Sequence, residues 1–255
     1  MDFQTRIEQV TPENIAEHPQ VICFINSKSE FYRSKVDWLL EQFKNGLTIQ
    51  MLYVEGVKRA VGFIEYVPGE YCWRRVDAAG YLFIHCLWTN GKKYQHQGLG
   101  HALLKEVEQK AEGEGKLGIA VMTSDKAFMA DRNIFERNGY DVVAELGSEQ
   151  LLVKKTALGP PPKFNEPVQP IESYKGLTMF YSKQCPWVSR FLEEVKPVLK
   201  ENNLTPEIIE LKKPADAQRA PSAYGVFALI YNGKMLADRY ISTTRFKNIL
   251  KKEIL

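Results

Sequence analysis

A short proline-rich segment, residues 159–173, constrains this chain more than any other feature. It reads GPPPKFNEPVQPIES and holds five prolines. Each proline fixes φ and removes a backbone donor, so neither a helix nor a sheet can run through the segment. Such a sequence is typical of a stiff, extended linker. We therefore predict an N-terminal domain over residues 1–158, a linker over residues 159–173 and a C-terminal domain over residues 174–255.

Composition places the chain among soluble globular proteins. Hydrophobic residues make up 44% and charged residues 25% of its 255 residues, which excludes collagen-like and disordered classes. No run of ~18 apolar residues occurs, and the first ten residues lack a basic stretch leading into an apolar one. The cysteines are too few for a disulfide framework, being Cys23, Cys72, Cys86 and Cys185. We expect a cytoplasmic protein with no membrane association.

Charge is unevenly distributed along the chain. Residues 1–158 hold 19 Lys and Arg against 21 Asp and Glu, whereas residues 174–255 hold 14 against 8, a net charge of +6. The basic C-terminal part favours an acidic ligand, or it is an ordinary solvated surface; both interpretations stay open. The whole-chain charge of +3 is a weak basis for a nucleic-acid partner, and we expect none.

The N-terminal part predicts a mixed fold. Strands are expected from runs of β-branched and aromatic residues, and a helix over residues 98–112 from Leu99, Leu103, Val107 and Ala111 at every fourth position. The predicted strands are residues 47–54, 60–67, 80–88, 117–123, 141–145 and 150–154, with a short helix over residues 131–138. This pattern indicates an α/β (α+β) domain with a mostly antiparallel start and a later β-α-β unit.

The turn Gln95-His96-Gln97-Gly98-Leu99-Gly100 joins a predicted strand to the amphipathic helix. Glycines at a helix start let the backbone approach a bulky anion, and the first helical N–H groups and the helix dipole favour negative charge there. The pattern predicts a diphosphate site; the alternative is that the glycines only permit a tight turn and close packing. His101-Ala102 after the last glycine excludes a P-loop.

These residues resemble a known family. Gln95-x-x-Gly98-x-Gly100, opening a helix after a strand, is similar to the acetyl-CoA motif of the GNAT (Gcn5-related) N-acetyltransferases. Phe135-Glu136-Arg137-Asn138-Gly139-Tyr140 resembles the second motif of that family, and the likeness spreads over about 150 residues. The resemblance implies a GNAT acyl-CoA acyltransferase fold and acetyl-CoA as co-substrate.

The resemblance also implies which residues hold the coenzyme. The turn and the first helical residues would bind its diphosphate, and a strand segment would present backbone groups to the pantetheine arm like an added strand. The implied diphosphate residues are Gln95, Gln97, Gly98, Leu99, Gly100, His101 and Ala102, and the implied pantetheine residues are Cys86, Leu87 and Trp88.

Acetyl transfer to a neutral amine needs a group that accepts a proton, and histidine suits this near pH 7. His85 lies mid-strand beside the expected thioester, and Glu65 on the neighbouring strand is the alternative base, acting directly or through a water. The competing interpretations are a hydrogen-bonded core histidine and an outward-facing glutamate. Phe135 stands where many relatives carry a tyrosine that acts as general acid, so no acid is identified.

No metal site is expected. His85 and Cys86 are adjacent in a predicted strand, so their side chains should point to opposite faces of the sheet and should not share an ion. Paired cysteine spacing is also missing from the sequence.

The C-terminal part resembles a minimal thioredoxin fold. Cys185-Pro186-Trp187 opens a predicted helix where such proteins keep their active cysteine, Val188 replaces the second cysteine, and Pro221 resembles their cis-proline. A thiol at a helix N-terminus should have a lowered pKa. Cys185 is therefore interpreted as a monothiol site, part of a thiol-ligand module, or a packing residue.

The whole chain is similar to bacterial proteins that join an acetyltransferase to a YoaP-like domain. We predict an enzyme that transfers an acetyl group from acetyl-CoA to a primary amine of a small-molecule or peptide acceptor. The alternative is a degenerate acyl-CoA sensor, or a monothiol redox or thiol-binding protein that works through Cys185. The resemblance is compatible with a homodimer.

Overall fold

A computed structural model describes residues 3–19, 25–126 and 129–255 of the chain. The chain divides into two compact units. The first takes in Leu39–Cys72, Asp77–Phe164 and the described part of Met1–Phe24, and the second takes in Ile25–Trp38, Trp73–Val76 and Asn165–Leu255. The predicted domain boundaries stay a prediction, and these units do not coincide with them.

The second unit includes two segments from the N-terminal part of the chain because these segments bond to C-terminal residues. The backbone N–H of Arg75 donates to Ala223 O at 3.1 Å, and Arg75 Nη1 donates to Pro221 O at 2.9 Å. Residues of the predicted linker are bonded too, since Val168 N donates to Arg219 O at 2.8 Å. Contrary to expectation, the linker also contains a two-residue strand, Lys163–Phe164.

Nine strands and three helices precede residue 165 in the described parts of the chain. In chain order they are β1 (Thr5–Val10), α1 (Glu30–Phe43), β2 (Thr48–Val54), β3 (Gly62–Pro68), β4 (Val76–Asp77), β5 (Tyr81–Thr89), α2 (Leu99–Gly113), β6 (Gly118–Thr123), α3 (Arg132–Glu136), β7 (Asp141–Leu146), β8 (Glu149–Lys155) and β9 (Lys163–Phe164). The predicted helix and hairpin strands are present with shifts of one or two residues at their ends.

The first unit is built on one large sheet. Its described strands run in the order β1-β2-β3-β5-β6-β8-β7, and neighbours are antiparallel except for the parallel pair β5–β6. The mixed α/β class predicted from the sequence is confirmed.

Helix α2 covers one face of this sheet. The predicted apolar stripe, Leu99, Leu103, Val107 and Ala111, is buried as expected. It packs into a core with alternate residues of the strands, Leu52, Ile64, Ile84, Ile119, Val121 and Leu152 among them. Because strand side chains alternate between faces, the residues between these belong to the opposite face.

Two irregularities of strand β5 shape the unit. Its parallel pairing with β6 runs from Tyr81↔Gly118 to Ile84↔Val121 and ends there, although both strands continue. On the other edge, Glu65 of β3 pairs with Cys86 and the next residue, Tyr66, pairs with Ile84. His85 is therefore the extra residue of a β-bulge.

The second unit carries a smaller sheet. Its remaining elements are β10 (Leu177–Tyr181), α4 (Pro186–Glu201), β11 (Glu207–Glu210), α5 (Pro214–Ala217), β12 (Phe227–Tyr231), β13 (Lys234–Ala237) and α6 (Thr243–Glu253). The described strands run in the order β11-β10-β12-β13, with β10–β11 parallel and the other pairs antiparallel. Asn232 and Gly233 both have positive φ, as a type I′ hairpin turn requires.

Aromatic contacts hold the helices of the second unit to its sheet. The Phe191 ring of α4 meets Phe227 of β12 and Phe246 of α6 edge-on, each at 5.6 Å between centroids. Among the described residues every peptide bond is trans, including the one before Pro221. No helix in these same residues is long and apolar enough to cross a membrane.

We expect Gly118→Ala to lower the free energy of unfolding by about 2–4 kcal/mol. Gly118 has φ +152°, and a Cβ there would lie 2.3 Å from Lys154 O, a backbone atom of the paired strand β8. Gly113→Ala is the matched control. A Cβ at Gly113 meets nothing within 4 Å, and alanine is the better helix former by up to about 1 kcal/mol. Urea unfolding of both variants measures the difference; equal stabilities would contradict this account.

Candidate active site

Strand β5 has one open edge in its last part. From Cys86 to Thr89 it pairs with β3, but the ladder with β6 has already ended at Ile84 and Val121. The β5–β6 ladder thus does not extend along this last part of β5 in the described structure. Cys86, Leu87 and Trp88, predicted to contact a pantetheine arm, lie on this segment, and Trp88 is 47% exposed. An extended ligand with amide groups can pair with such an edge as an added strand does.

The glycine turn lies at the start of α2. His96 and Gly98 both have positive φ, 57° and 76°. Gly98 is the N-cap residue of the helix, and no side chain caps the helix there. The first backbone bond into the helix is Ala102 N to Gly98 O at 3.0 Å, so the N–H groups before Ala102 have no intrahelical acceptor. These N–H groups, together with the helix dipole, form a site suited to an anion.

The two glycines of the turn have different roles. A Cβ on Gly98 meets nothing within 4 Å, so Gly98 supplies the left-handed backbone and leaves open space beside the helix start. A Cβ on Gly100 would lie 2.5 Å from Ile134 Cδ1, so Gly100 is needed for packing against α3. The sequence left two interpretations of these glycines open, an anion site and close packing. The structure is consistent with the first for Gly98 and with the second for Gly100.

His101 and Asn138 connect the start of α2 to the end of α3. His101 Nδ1 bonds to Asn138 Oδ1, and Asn138 Nδ2 donates to Ile134 O at 2.6 Å. His101 therefore supports the position of the helix start. Gln95 and Gln97 are exposed on the turn, and Leu99 is buried in the core below it.

The bulge brings the two predicted base candidates together. His85 Nδ1 lies 3.2 Å from Glu65 Oε1, and their side chains are 0% and 3% exposed. The His85 ring also lies 5.9 Å from the Phe83 ring. The residue as a whole is 8% exposed, so the exposed part of His85 is its backbone. When Glu65 is ionised it accepts a hydrogen bond from Nδ1–H, which leaves the lone pair of the ring on Nε2.

The expectation that His85 and Cys86 point to opposite faces is wrong. Cys86 is the direct partner of Glu65, and direct partners share a face of the sheet. His85 reaches the same carboxylate, so the extra residue of the bulge places both side chains on one face. Across the described parts of the chain, no group of three His, Cys, Asp or Glu side chains is placed to hold a metal ion.

Phe135 belongs to the core. It is 0% exposed and meets the Tyr140 ring edge-on at 5.5 Å between centroids. The hydroxyl of Tyr140 is buried and has no hydrogen-bond partner within the described residues. Burial, with a contribution from Glu108, raises the pKa of Tyr140. Tyr140 therefore keeps its proton near neutral pH, and neither ring acts as a ready acid.

Cys185 differs from its prediction in one respect. Cys185 is the N-cap residue of α4, and the sequence predicted this position at the start of a helix. The residue is half-buried. Burial raises the pKa of the thiol, and this outweighs the lowering by the backbone N–H groups of Val188 and Trp187 and by the charges of Lys35 and Arg74. The expected lowered pKa is thus wrong, because the loss of solvation exceeds the helix dipole and the nearby cations.

The sequence of the part that contains β5 and α2 matches a known family. The sequence profile of the acetyltransferase (GNAT) family covers residues 13–140, which is half of the chain. The chain belongs to the GNAT acetyltransferase family. The predicted acyltransferase class of enzyme is thereby confirmed. A second profile, described as YoaP-like, matches residues 207–248, which confirms the YoaP-like region but not its thioredoxin-like character.

A curated relative is similar over nearly the whole of both chains. An uncharacterized N-acetyltransferase, YoaP of Bacillus subtilis strain 168, is 25% identical over 249 residues, covering 95% of this chain and 97% of that protein. The similarity extends through both units, since it spans nearly the whole chain.

Solved structures are similar over about three fifths of the chain. The PaiA N-acetyltransferase of Thermoplasma acidophilum, solved with coenzyme A, is 18% identical, covers 60% of this chain and 99% of its own, and has a TM-score of 0.43. The ribosomal-protein-S18-alanine N-acetyltransferase of Escherichia coli is 11% identical, with 62% and 97% covered and a TM-score of 0.43. These scores are below 0.5, so the assignment to the family stands on the profile match.

We expect Phe135→Tyr to destabilise the protein by about 1–3 kcal/mol, because it adds a hydroxyl at a position with no solvent access. Tyr140→Phe is the matched control. It removes a buried hydroxyl that has no partner, so stability should be unchanged or higher. Thermal unfolding monitored by circular dichroism compares them. A Phe135→Tyr protein as stable as the parent would show that the position opens to a polar cleft.

Proposed function

We propose that the first unit transfers the acetyl group of acetyl-CoA to a primary amine, with the His85–Glu65 pair accepting the amine proton. One observation carries this proposal: two features lie next to each other on β5. The ladder between β5 and β6 ends at Ile84, and the β-bulge at the next residue places His85 within hydrogen-bond distance of the buried Glu65 carboxylate. Family membership supports acetyl transfer, and the site geometry supports the assignment of roles.

The residues present fit coenzyme A. The space beside Gly98 is open, and the N–H groups of the first turn of α2 suit a diphosphate. The open edge of β5 at Cys86, Leu87 and Trp88 suits the two amides of a pantetheine arm. The thioester of acetyl-CoA would supply the activated acetyl group.

The His85–Glu65 pair fits the role of proton acceptor. An amine must be neutral when it attacks, and it loses a proton as the amide forms. His85 Nε2 accepts that proton, directly or through a water, while Glu65 holds the ring through Nδ1 and stabilises the imidazolium. Proton transfer to a positioned histidine typically contributes about 10²–10⁴ in rate.

The second unit supports a thioredoxin-like assignment by its order of elements. A β-α-β segment followed by a hairpin and a helix is the order of elements along the chain on which that resemblance rests. We include it in the proposal as a fold assignment and attach no redox role, because the raised pKa of Cys185 disfavours a thiolate.

An acyl-CoA sensor is the rival function, and one observation favours it: Phe135 is a core residue where relatives carry an acid. Free coenzyme A released from acetyl-CoA, measured against a panel of small amines and N-terminal peptides, separates the two. Release that depends on an amine supports the enzyme. Binding of acetyl-CoA without release for any amine would favour the sensor.

Two variants of Gly98 that differ in charge test whether the start of α2 binds the coenzyme. Asn and Asp have the same shape and both tolerate positive φ, so Gly98→Asn and Gly98→Asp differ mainly by one negative charge. We expect Gly98→Asp to bind acetyl-CoA about tenfold more weakly than Gly98→Asn, a difference of ~1.4 kcal/mol. Calorimetric titration of both variants gives the ratio, and equal affinities would place the diphosphate elsewhere.

The steady-state kinetics of His85 and Glu65 variants test whether this pair accepts the amine proton. His85→Gln should lower kcat about 10²-fold or more with little change in KM for acetyl-CoA, because the ring acts on the amine proton. Glu65→Gln should give a smaller loss of kcat, since the ring remains but loses its carboxylate partner. His18→Gln is the control, as His18 bonds to Tyr53 in another part of the unit and should keep kcat. A His85→Gln enzyme with parental kcat would remove His85 from the mechanism.

A further inference from the structure

A groove with a volume of 210 Å³ lies between β13 and α6, and residues of these two elements line it. Both elements belong to the second unit, outside the acetyl-transfer site proposed on β5 and α2. The apolar part of the lining consists of Met235, Leu236 and Ile249. Ile249 is 8% exposed, and the other two are partly buried. The groove therefore offers an apolar surface that is recessed but open to a ligand.

The volume of this groove limits what can occupy it. Sites for small organic molecules usually have volumes of about 300–1,000 Å³, so a groove of 210 Å³ is small for a whole cofactor. A cavity of about 150 Å³ can hold a benzene molecule. The groove thus has room for one large apolar side chain, as a peptide ligand would supply.

The charged residues that line the groove are not balanced. Three are cations, Lys234, Arg245 and Lys252, and one is a carboxylate, Glu253, so their net charge is +2. Lys234 Nζ lies 2.6 Å from Glu253 Oε2, and Lys252 Nζ lies 3.8 Å from Glu253 Oε1. The hydrogen bond from Lys234 and the charges of both lysines lower the pKa of Glu253, which is therefore ionised near neutral pH. The remaining positive charge favours an anionic occupant.

Arg245 is placed where a cation is unfavourable for its own helix. It lies in the first turn of α6, and its backbone N–H donates to Ser242 Oγ, the N-cap, at 3.2 Å. The positive end of the helix dipole disfavours a cation in this turn, whereas it favours Lys251 and Lys252 in the last turn. No carboxylate in the described parts of the chain lies within salt-bridge distance of the Arg245 guanidinium. An external carboxylate would account for this placement.

The spacing along α6 indicates the shape of the ligand. Arg245 and Lys252 are seven residues apart, which is two helical turns or about 10 Å along the axis. Asn248 lies between them and also lines the groove, and its amide can both donate to and accept from a peptide bond. A peptide in the polyproline II conformation advances about 9 Å in three residues. Two acidic residues three positions apart in such a peptide match the two cations.

We propose that the groove between β13 and α6 binds an extended acidic peptide segment of a partner protein. One apolar side chain of the segment packs against Met235, Leu236 and Ile249, and carboxylates on either side of it pair with Arg245 and Lys252. A nucleic acid or an anionic membrane would use the cations but would not insert a single apolar side chain. This site is independent of the acetyl-transfer activity.

Titration of the isotope-labelled, full-length protein with synthetic peptides tests the site. The probe is Ac-GEELEEG-NH₂; Ac-GQQLQQG-NH₂ lacks its charge, and Ac-GEESEEG-NH₂ lacks its apolar side chain. Changes in the backbone amide resonances give each Kd and identify the residues affected. We expect the changes to concentrate in residues 234–236 and 245–253, and each control peptide to bind about tenfold more weakly or less tightly still.

Two variants of α6 separate the groove from the general charge of the helix. Arg245→Gln and Lys247→Gln each remove one positive charge, but of these two residues only Arg245 lines the groove. At low ionic strength Arg245→Gln should weaken binding of Ac-GEELEEG-NH₂ about threefold to fivefold, and Lys247→Gln should leave it unchanged. In urea, Arg245→Gln should be at least as stable as the parent, because it removes a charge that opposes the helix dipole.

Four results overturn the proposal. They are the absence of binding of Ac-GEELEEG-NH₂ at millimolar concentration, changes confined to residues outside the groove, unaltered binding by Arg245→Gln, and a loss of stability in that variant, which would give Arg245 a structural role. An oligothymidylate and vesicles that contain phosphatidylglycerol are tested in parallel. If either binds through Arg245 while the peptide does not, the partner is a nucleic acid or a membrane and the proposal is wrong.

Discussion

The parallel ladder between strands β5 and β6 of the first unit ends at Ile84 and Val121, although β5 continues to Thr89 and β6 to Thr123. An unpaired strand edge in the middle of a sheet is costly unless solvent or a ligand satisfies its backbone groups. Helix α2 connects these two parallel strands and packs on both, so its position follows from theirs. The open edge, the glycine turn and the start of α2 therefore depend on one interruption of the ladder.

The bulge opposite Glu65 determines what chemistry this edge can carry. Without the extra residue, strand alternation would place His85 and Cys86 on opposite faces of the sheet. With it, His85 lies within hydrogen-bond distance of a carboxylate that is itself buried. Burying a glutamate and a histidine together is tolerated because each satisfies the other, and a lone buried carboxylate would be far more costly.

Local sequence rules predicted the elements well and their long-range relations poorly. Apolar residues at every fourth position predicted α2, because this pattern depends only on neighbours along the chain. The bulge at His85 was not predictable, since one additional residue leaves the hydrophobic pattern of a buried strand unchanged. Likewise, nothing local to residues 25–38 and 73–76 indicates that they belong with the C-terminal unit. The open edge of β5 was inferred through the family resemblance and not from the residues themselves.

Cys185 shows why a residue type and its position on a helix do not determine reactivity. The helix start and the basic composition of the C-terminal part both favour a thiolate, and the structure retains both effects through the N–H groups of α4 and the charge of Arg74. Burial, which the local sequence did not reveal, acts in the opposite direction and is the larger effect. The cations that lie beside this thiol, Lys35 and Arg74, are more than a hundred residues away in sequence. A buried thiol whose pKa is raised is poorly suited to redox exchange, which requires the thiolate.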